Sequence, residues 1–339
     1  MTLSHPFDQA PAFGETVPVA PGVLWLRMPL PFALDHVNLW LIEDGEGWAL
    51  VDTGIGDDRT RALWEQVFAG PMGGRKLTRL IATHYHPDHM GLAAWLGRRF
   101  GVPLETPREE WLTGRTIWLD VGEEAGERAA RFYRAAGTSE DFAAEVAKRV
   151  HHYRNIVDGI PSSFKALEEG QDIKIGGRNW RVMIGRGHSP SMACLVCDEL
   201  GLLISGDQIL PTITPNVSIL AIEPDDDPLA RFLSSLESFK ALPADTLVLP
   251  SHRTPFRGLH ERIDALRHHH EERLEAALEA ARDSVAASDM LGVLFARKLD
   301  NHQIFFALGE TLAHLNHLIG RGLMTRERGP DGVNRYRRL

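Results

Sequence analysis

The segment Thr83-His84-Tyr85-His86-Pro87-Asp88-His89-Met90-Gly91 decides how the rest of the chain is interpreted. It brings three imidazoles and one carboxylate together, and both groups are good ligands for a divalent metal. A strand cannot direct all four groups to one side, because its side chains alternate between two faces. The apolar residues Leu80-Ile81-Ala82 indicate a strand that ends just before the segment. We therefore predict a metal-binding loop at a strand end; the alternative is a histidine-rich surface loop.

Three further candidate ligands occupy the same kind of position, each directly after a short apolar run. They are His188 after Val182-Met183-Ile184, Asp207 after Leu202-Leu203-Ile204, and His252 after Leu247-Val248-Leu249. A sheet can present side chains from several strand ends along one edge. One such residue alone would more often be structural, but the repeated placement predicts a shared site.

The order of these motifs resembles that of the metallo-β-lactamase-fold hydrolase superfamily. The match comprises Val51-Asp52-Thr53-Gly54, the H-x-H-x-D-H segment, Gly187-His188-Ser189, Ser205-Gly206-Asp207 and the late His252. The resemblance implies an α/β fold, a four-layer αββα sandwich with helices outside two facing sheets. The long gap between His89 and His188 predicts an insertion there. Met192 departs from the glyoxalase II-like version of the fourth motif, which usually has a second His.

The resemblance also implies a dinuclear site. His84, His86 and His188 would hold a first metal, Asp88, His89 and His252 a second, and Asp207 would bridge the two. The set contains nitrogen and carboxylate oxygen but no sulfur, which suits two Zn²⁺ ions, with Fe or Mn as alternatives.

Such a site predicts a hydrolase in which Asp88 and Asp207 are the catalytic carboxylates. Two adjacent metals can share a water and lower its pKa, so that a hydroxide exists at neutral pH. The sequence contains no G-x-S-x-G motif for a serine nucleophile and no glycine-rich phosphate loop.

Residues around the ligands have predicted supporting roles. Metal-bound imidazoles usually donate their second N–H to a carboxylate or carbonyl, and Asp52 is the candidate acceptor. Thr83 and Ser205 could assist it. The alternative for Asp52 is a turn-capping aspartate in Asp52-Thr53-Gly54.

Composition limits the class of protein. The chain has 339 residues, 43% hydrophobic and 24% charged, with a net charge of −9. No apolar run approaches the roughly 18 residues that span a bilayer, and the first residues do not resemble a secretory signal. We expect a cytoplasmic protein with no membrane partner. The two cysteines, Cys194 and Cys197, are predicted to point to opposite faces of a buried strand.

The predicted insertion covers residues of about 105–165, within a catalytic domain at residues 1–258. Helical spacing is predicted over Glu109–Leu119, Glu123–Ala136 and Glu140–Arg154. Its aromatic residues predict a helical lid with an apolar pocket for an acyl group, with Trp111, His151 and Tyr153 as candidate substrate contacts. The alternative is that these aromatics pack the helices together. Aromatic residues of the insertion are Trp111, Trp118, Phe132, Tyr133, Tyr153 and Phe164.

Residues 259–339 are predicted to form a linker helix and a winged-helix-like domain, as in the LACTB2-like branch of the superfamily. The predicted parts are helices at Met290–Lys298, Gln303–Leu308 and Glu310–Ile319 and a two-stranded wing. From Ser284 onward the chain has eight Lys and Arg against five Asp and Glu, which is weakly basic, so we expect packing or a homodimer contact and no nucleic acid partner. The triplet His268-His269-His270 is predicted to be a solvated helix face, since consecutive helical residues diverge by about 100°.

The predicted function is zinc-dependent hydrolysis of a carboxylic acyl bond in a small-molecule ester, lactone or thioester. One alternative is a LACTB2-like nuclease or phosphodiesterase, and a basic rim around the cleft would favour it. A second alternative is a regulator that binds DNA through its winged-helix tail.

Overall fold

Two β-sheets face each other in the computed structural model of this chain, which describes residues 3–295 and 298–339. The first sheet has the strand order β1 (Thr16–Ala20), β2 (Val23–Pro29), β3 (His36–Asp44), β4 (Gly47–Val51), β5 (Leu77–Ile81), β6 (Leu104–Pro107) and β7 (Phe164–Leu167). The second sheet contains β8 (Asp172–Ile175), β9 (Arg178–Gly185), β10 (Met192–Cys197), β11 (Leu202–Gly206) and β12 (Leu247–Pro250), in the spatial order β12-β11-β10-β9-β8.

Alternating apolar residues explain why the first sheet is covered on both faces. In β2 and β3, Trp25 and Trp40 point into the space between the sheets, where their rings stack at 6.3 Å. Their neighbours Leu26 and Leu39 point the opposite way and pack against the outer helices. This alternation follows from the two-residue repeat of a strand. Trp180 of β9 completes the core between the sheets.

Helices cover the outer faces of both sheets, and the predicted α/β four-layer sandwich is confirmed. Trp64 of α1 and Leu96 of α3 pack on the first sheet, while Phe232 of α8 and Ile263 of α9 pack on the second. The helices of these two layers are α1 (Asp58–Ala69), α2 (Pro87–Met90), α3 (Ala93–Phe100), α8 (Pro228–Phe239) and α9 (Leu259–Ala280).

The segment between β6 and β7 forms the remaining helices of the catalytic region: α4 (Arg108–Leu119), α5 (Glu123–Ala135), α6 (Glu140–Lys148) and α7 (His152–Ile156). The prediction of one helix over Glu140–Arg154 was wrong, because a 3-10 turn at Arg149–His151 separates α6 from α7. Because a 3-10 turn is tighter than an α-helical turn, α7 does not continue the buried face of α6. Val146 of α6 therefore packs with the second sheet and Tyr153 of α7 with the first.

The aromatic residues of the insertion pack the fold, in agreement with the alternative to a lid pocket. Trp111 stacks on Phe164 at 4.7 Å, and Tyr133 stacks on Phe305 near the C-terminus at 5.4 Å. Trp118 and Phe132 also lie against the hydrophobic cores. Burial of these rings joins the insertion to the sandwich and to the C-terminal region.

The C-terminal region contains β13 (Val285–Ala286), α10 (Leu291–Leu294), α11 (Asn301–Gly320), β14 (Met324–Arg328) and β15 (Asn334–Arg338). The strands pair in the order β13-β15-β14, so a third strand joins the predicted two-stranded wing. The predicted helix at Met290–Lys298 is shorter than expected: Ser288–Met290 form a 3-10 turn before α10. Residues 296 and 297 of that prediction lie outside the described residues.

The predicted separate helices Gln303–Leu308 and Glu310–Ile319 are one continuous helix, α11, so this prediction was wrong. Gly309 between them does not break the helix. A Cβ atom there would lie 2.9 Å from Oγ and 3.0 Å from Cβ of Ser218. Gly309 is therefore explained by the close approach of the chain at Ser218.

Most of α11 is buried. Its polar residues Glu310, His314 and Asn316 are at most 9% exposed. Asn316 donates to the carbonyls of Pro224 and Asp226. A helix held in this way cannot present these side chains to a DNA groove.

The histidine triplet on α9 also differs from its prediction, because it is only partly solvated. His268 has a side chain that is 75% exposed, whereas His270 is fully buried. His314 Nδ1 donates to the carbonyl of Glu310, so its Nε2 accepts from Nδ1 of His270 at 3.1 Å. Burial is the main cause that lowers the pKa of His270 to about 2, and the neighbouring His314 also lowers it. Burial lowers the pKa of His314 to about 4.

This buried pair predicts a loss of stability in mild acid. An unfolded histidine titrates near pH 6.5, so below that pH the unfolded chain binds protons that the folded chain excludes. The free energy of unfolding should fall as the pH drops from 6.5 towards 4, by up to about 1.4 kcal/mol per pH unit for each group. Urea unfolding of the metal-free protein should show a shallower pH dependence in His270→Gln. His268→Gln on the same helix is the control, and equal slopes in the two variants would contradict the assignment.

The two cysteines point to opposite faces of β10, as predicted. Both are buried and free; Cys194 lies in the core beneath the outer helices, and Cys197 lies between the sheets. Within the described part of the chain, no helix is both long and apolar enough to cross a membrane.

Candidate metal centre

The ligand loop, defined as residues 83–91, lies directly after β5 and passes into the short helix α2. Pro87 begins α2, where its missing N–H costs nothing. Gly91 ends it in a crowded place, since a Cβ atom there would lie 2.3 Å from the carbonyl of Pro87 and 2.5 Å from that of Gly54. Because glycine has no Cβ atom, the loop can pack closely against Gly54, which follows β4.

The other predicted ligands reach the same edge from the second sheet. His188 follows β9, Asp207 directly follows β11, and His252 lies two residues after β12. The structure thus brings all seven predicted ligand side chains into one cluster at the mouth between the two sheets.

Three imidazole nitrogens converge in the first group of ligands. His84 Nε2 and His188 Nε2 lie 2.9 Å and 3.0 Å from Nδ1 of His86. Tetrahedral zinc with nitrogen ligands at about 2.1 Å requires neighbouring nitrogens about 3.4 Å apart, which is close to this arrangement.

The second group contains Asp88, His89 and His252. Asp88 Oδ2 is 3.5 Å from Nε2 of both His89 and His252. Asp207 lies between the two groups: its Oδ1 is 3.5 Å from Nε2 of His89, and its Oδ2 is 3.4 Å from Nε2 of both His188 and His252. One carboxylate therefore faces both groups.

Asp52 fixes the orientation of two ligand imidazoles. It is 1% exposed and accepts from the N–H of Thr83 at 2.7 Å and from Nδ1 of His89 at 2.8 Å. The Thr83 hydroxyl also donates to Asp52, so it can accept from Nδ1 of His84 at 3.0 Å. Both histidines are thereby left with a free Nε2 lone pair.

Two backbone carbonyls perform the same task for two of the three remaining imidazoles. His188 donates its Nδ1–H to the carbonyl of Asn216 at 2.7 Å, and His252 donates its Nδ1–H to that of His36 at 2.8 Å. The sequence reasoning missed both acceptors. A carbonyl acceptor is present in every residue, so no sequence signal could have identified them.

Ser205 differs from its predicted role. Its hydroxyl donates to the carbonyl of Ile209 at 2.9 Å and contacts no ligand imidazole in the described hydrogen bonds. It stabilises the turn that carries Asp207 instead.

The charges at the site suit a divalent metal. Burial lowers the pKa of His84, His86 and His188, with that of His86 at about 3, so these imidazoles are neutral. Burial raises the pKa of Asp88, but the nearby His89 and His252 outweigh it and bring this pKa to about 2. Both His89 Nε2 and Asp207 Oδ1 are buried without a hydrogen-bond partner among the described residues. The pKa of His89 and that of His252 are raised instead, because nearby carboxylates outweigh burial. A metal bound at these imidazoles would replace their protons. The ionised carboxylates and the buried atoms without a hydrogen-bond partner fit a bound cation.

Glu110 of α4 is a buried site residue that the sequence analysis did not identify. Its carboxylate is 0% exposed and accepts from the N–H of Tyr85 at 3.0 Å, the hydroxyl of Ser189 at 2.8 Å and the N–H of Ser191 at 2.6 Å. Burial raises its pKa to about 7. Nothing in the local sequence distinguishes it from the exposed Glu109 beside it.

The three predicted substrate residues have structural or solvent contacts. Trp111 donates its indole N–H to the carbonyl of Pro161 at 2.8 Å, and His151 is exposed on its 3-10 turn. Tyr153 is 8% exposed, and its hydroxyl donates to the carbonyl of Tyr85 at 2.5 Å. Tyr153 thus contacts the ligand loop itself.

Comparison with known proteins identifies two sequence families in the chain. The family described as the metallo-beta-lactamase superfamily matches residues 33–252. The family described as the metallo-beta-lactamase-like, C-terminal domain matches residues 274–339.

The chain is also similar to three individual proteins. A crystal structure of a beta-lactamase domain protein from Burkholderia ambifaria has 44% sequence identity and a TM-score of 0.93, over 99% of this chain and 98% of that one. A probable metallo-hydrolase, YqjP, from Bacillus subtilis strain 168 is 24% identical over 87% of this chain and 92% of its own length. The acyl-coenzyme A thioesterase MBLAC2 of Gallus gallus is 27% identical over 57% of this chain and 64% of its own.

Proposed function

Because the chain belongs to the metallo-beta-lactamase superfamily and is a metallo-hydrolase, we propose that it uses two zinc ions to hydrolyse a carboxylic acyl bond. The substrate class is a small-molecule ester, lactone or thioester. The observation that carries the proposal is the carboxylate of Asp207, which faces both groups of converging ligands. The nitrogen and oxygen donor set also suits iron or manganese, and the test below separates these metals.

The candidate ligands form two groups, one for each proposed ion. His84, His86 and His188 would hold one ion, and Asp88, His89 and His252 the other, with Asp207 contacting both. Bound there, the ions would supply a Lewis acid and a water of lowered pKa. The side chain of Asp88 is 17% exposed, against 8% for Asp207. Asp88 is therefore the ligand carboxylate that can accept a hydrogen bond from a reacting water on the open side.

A thioester is the favoured acyl substrate, because a similar protein carries the name acyl-coenzyme A thioesterase. The DNA-binding alternative is disfavoured by the burial of α11. A nuclease or phosphodiesterase activity is the rival that the assay must exclude.

The test compares acyl and phosphodiester substrates on one preparation. We expect the zinc-loaded protein to hydrolyse acyl-coenzyme A thioesters, an aryl ester or a lactone, and to turn over bis(p-nitrophenyl) phosphate and RNA more slowly. Removal of the metal with a chelator should lower acyl turnover by at least about 1000-fold, because the Lewis acid is lost. Zn²⁺ should restore it.

Two results would contradict the proposal. Faster turnover of the phosphodiester or RNA would favour the nuclease. Acyl turnover that survives complete metal removal, or that only iron or manganese restores, would exclude the zinc mechanism.

A further inference from the structure

Glu110 joins the two chain segments that supply the first group of ligands. Oε2 accepts from the backbone N–H of Tyr85, which lies between His84 and His86. Oε1 accepts from the hydroxyl of Ser189, directly after His188, and from the N–H of Ser191. One buried side chain therefore connects both segments.

The backbone of Tyr85 is held from its other side as well. Its N–H donates to Glu110 of α4, and its carbonyl accepts from the hydroxyl of Tyr153 of α7 at 2.5 Å. Gly114, one turn after Glu110, allows α4 to approach: a Cβ atom there would lie 3.2 Å from both Cβ of Tyr85 and the hydroxyl of Tyr153. Both contacts to the backbone of Tyr85 come from the insertion.

The donors around Glu110 make this connection specific. The described hydrogen bonds and ion pairs give its carboxylate no cationic partner; Arg186 bonds to the neighbouring Glu109 instead. A buried carboxylate without a cation is costly unless N–H and O–H donors surround it. The donors are correctly placed only when the ligand loop and the segment after His188 take the observed arrangement.

We propose that Glu110, supported by Tyr153, is a positioning residue that holds His84, His86 and His188 in register for the first metal. The helical insertion then serves to build the metal site. This role concerns metal binding and does not depend on which substrate is hydrolysed.

The test measures zinc affinity by competition with a chromophoric chelator, and the visible spectrum of the Co²⁺-loaded protein. Glu110→Ala should weaken the binding of one metal equivalent by about 10- to 100-fold, as for other residues that orient metal ligands. Glu110→Gln should weaken zinc binding less than Glu110→Ala does. The glutamine amide oxygen still accepts a hydrogen bond, whereas its NH₂ group faces one of the donors. Tyr153→Phe should shift affinity in the same direction. The Co²⁺ bands should change in all three variants.

A matched control is Glu105→Gln. Glu105 is also a buried carboxylate, but it pairs with Arg79 and Lys165. Its replacement should leave zinc affinity and the Co²⁺ spectrum unchanged, which separates positioning from a general loss of stability.

Double variants identify which group of metal ligands Glu110 supports. Glu110→Gln should weaken metal binding in His252→Ala, where the first group is intact, and should add nothing in His188→Ala, where it is already incomplete. Should Glu110→Ala fail to fold, Glu110→Gln and Tyr153→Phe decide the outcome. Parent-like affinity and spectra in these variants, or an equal loss in Glu105→Gln, would overturn the proposal.

Discussion

Replacement of Asp207 by alanine is expected to lower acyl turnover by at least about 1000-fold and to reduce the bound metal to at most one equivalent. The carboxylate is the side chain that faces both ligand groups, with oxygens within 3.5 Å of His89, His188 and His252. In the proposed two-metal site this change would remove a ligand from both ions. The expected rate change corresponds to about 4 kcal/mol of transition-state stabilisation. Metal analysis after gel filtration and turnover of the best acyl substrate measure the two effects.

The control for this prediction is Asp158→Ala. Asp158 is a partly buried aspartate whose side chain pairs with Arg61 and Arg98 and belongs to none of the groups of candidate ligands. It should keep the parent's metal content and turnover. Equal metal content in Asp207→Ala and the parent would refute the bridging position of Asp207.

The convergence of the candidate ligands could be predicted from the sequence because they lie at strand ends. Four ligands are within one short loop, and His188, Asp207 and His252 each follow an apolar run that forms a buried strand. The sandwich was predicted from the resemblance of the motifs, and strand alternation explains its packing, since Trp25 and Leu26 lie in two different cores. These patterns are local and reflect the geometry of the strand.

The residues that the sequence did not predict act through contacts between distant segments. Glu110 reaches Ser191 across 81 positions, and the carbonyl of His36 reaches His252 across 216. No spacing rule connects such residues in a single sequence. The same reason explains two errors: Gly309 suggested a helix break although it permits close packing on Ser218, and His270 suggested solvent exposure although it meets His314.

The C-terminal region contacts the candidate site through one described link. The side-chain amide of Asn216 donates to Glu310 of α11 at 3.3 Å, while its backbone carbonyl orients His188. The buried core beneath the second sheet continues through α8 and α9 into Leu315 and Leu318 of α11. The region is therefore part of the support for the catalytic half.

Replacement of Asp52 by alanine is expected to lower the stability of the protein more than its metal content. Asp207→Ala should show the opposite, with the larger effect on metal content. Asp52 is buried and accepts from the N–H and hydroxyl of Thr83 and from Nδ1 of His89. Alanine leaves these donors buried without a partner, at about 1–3 kcal/mol each. Asp52 also has φ of 64°, a region that aspartate tolerates better than alanine. The free energy of unfolding of the metal-free protein should fall by about 4 kcal/mol, as measured by urea denaturation with a chelator present.

Asp52→Asn and Asp207→Ala complete this comparison. Asparagine tolerates the same φ and keeps one acceptor oxygen, so Asp52→Asn should lose roughly half as much stability as Asp52→Ala. Asp207→Ala should lose less than either in the metal-free state, because no backbone N–H donates to its carboxylate in the described hydrogen bonds. Asp207→Ala should lose more metal than either Asp52 variant, since Asp52 orients His84 and His89 from behind, whereas Asp207 faces both groups of candidate ligands. A metal-free Asp207→Ala protein less stable than Asp52→Ala would show that the two carboxylates have been assigned the wrong roles.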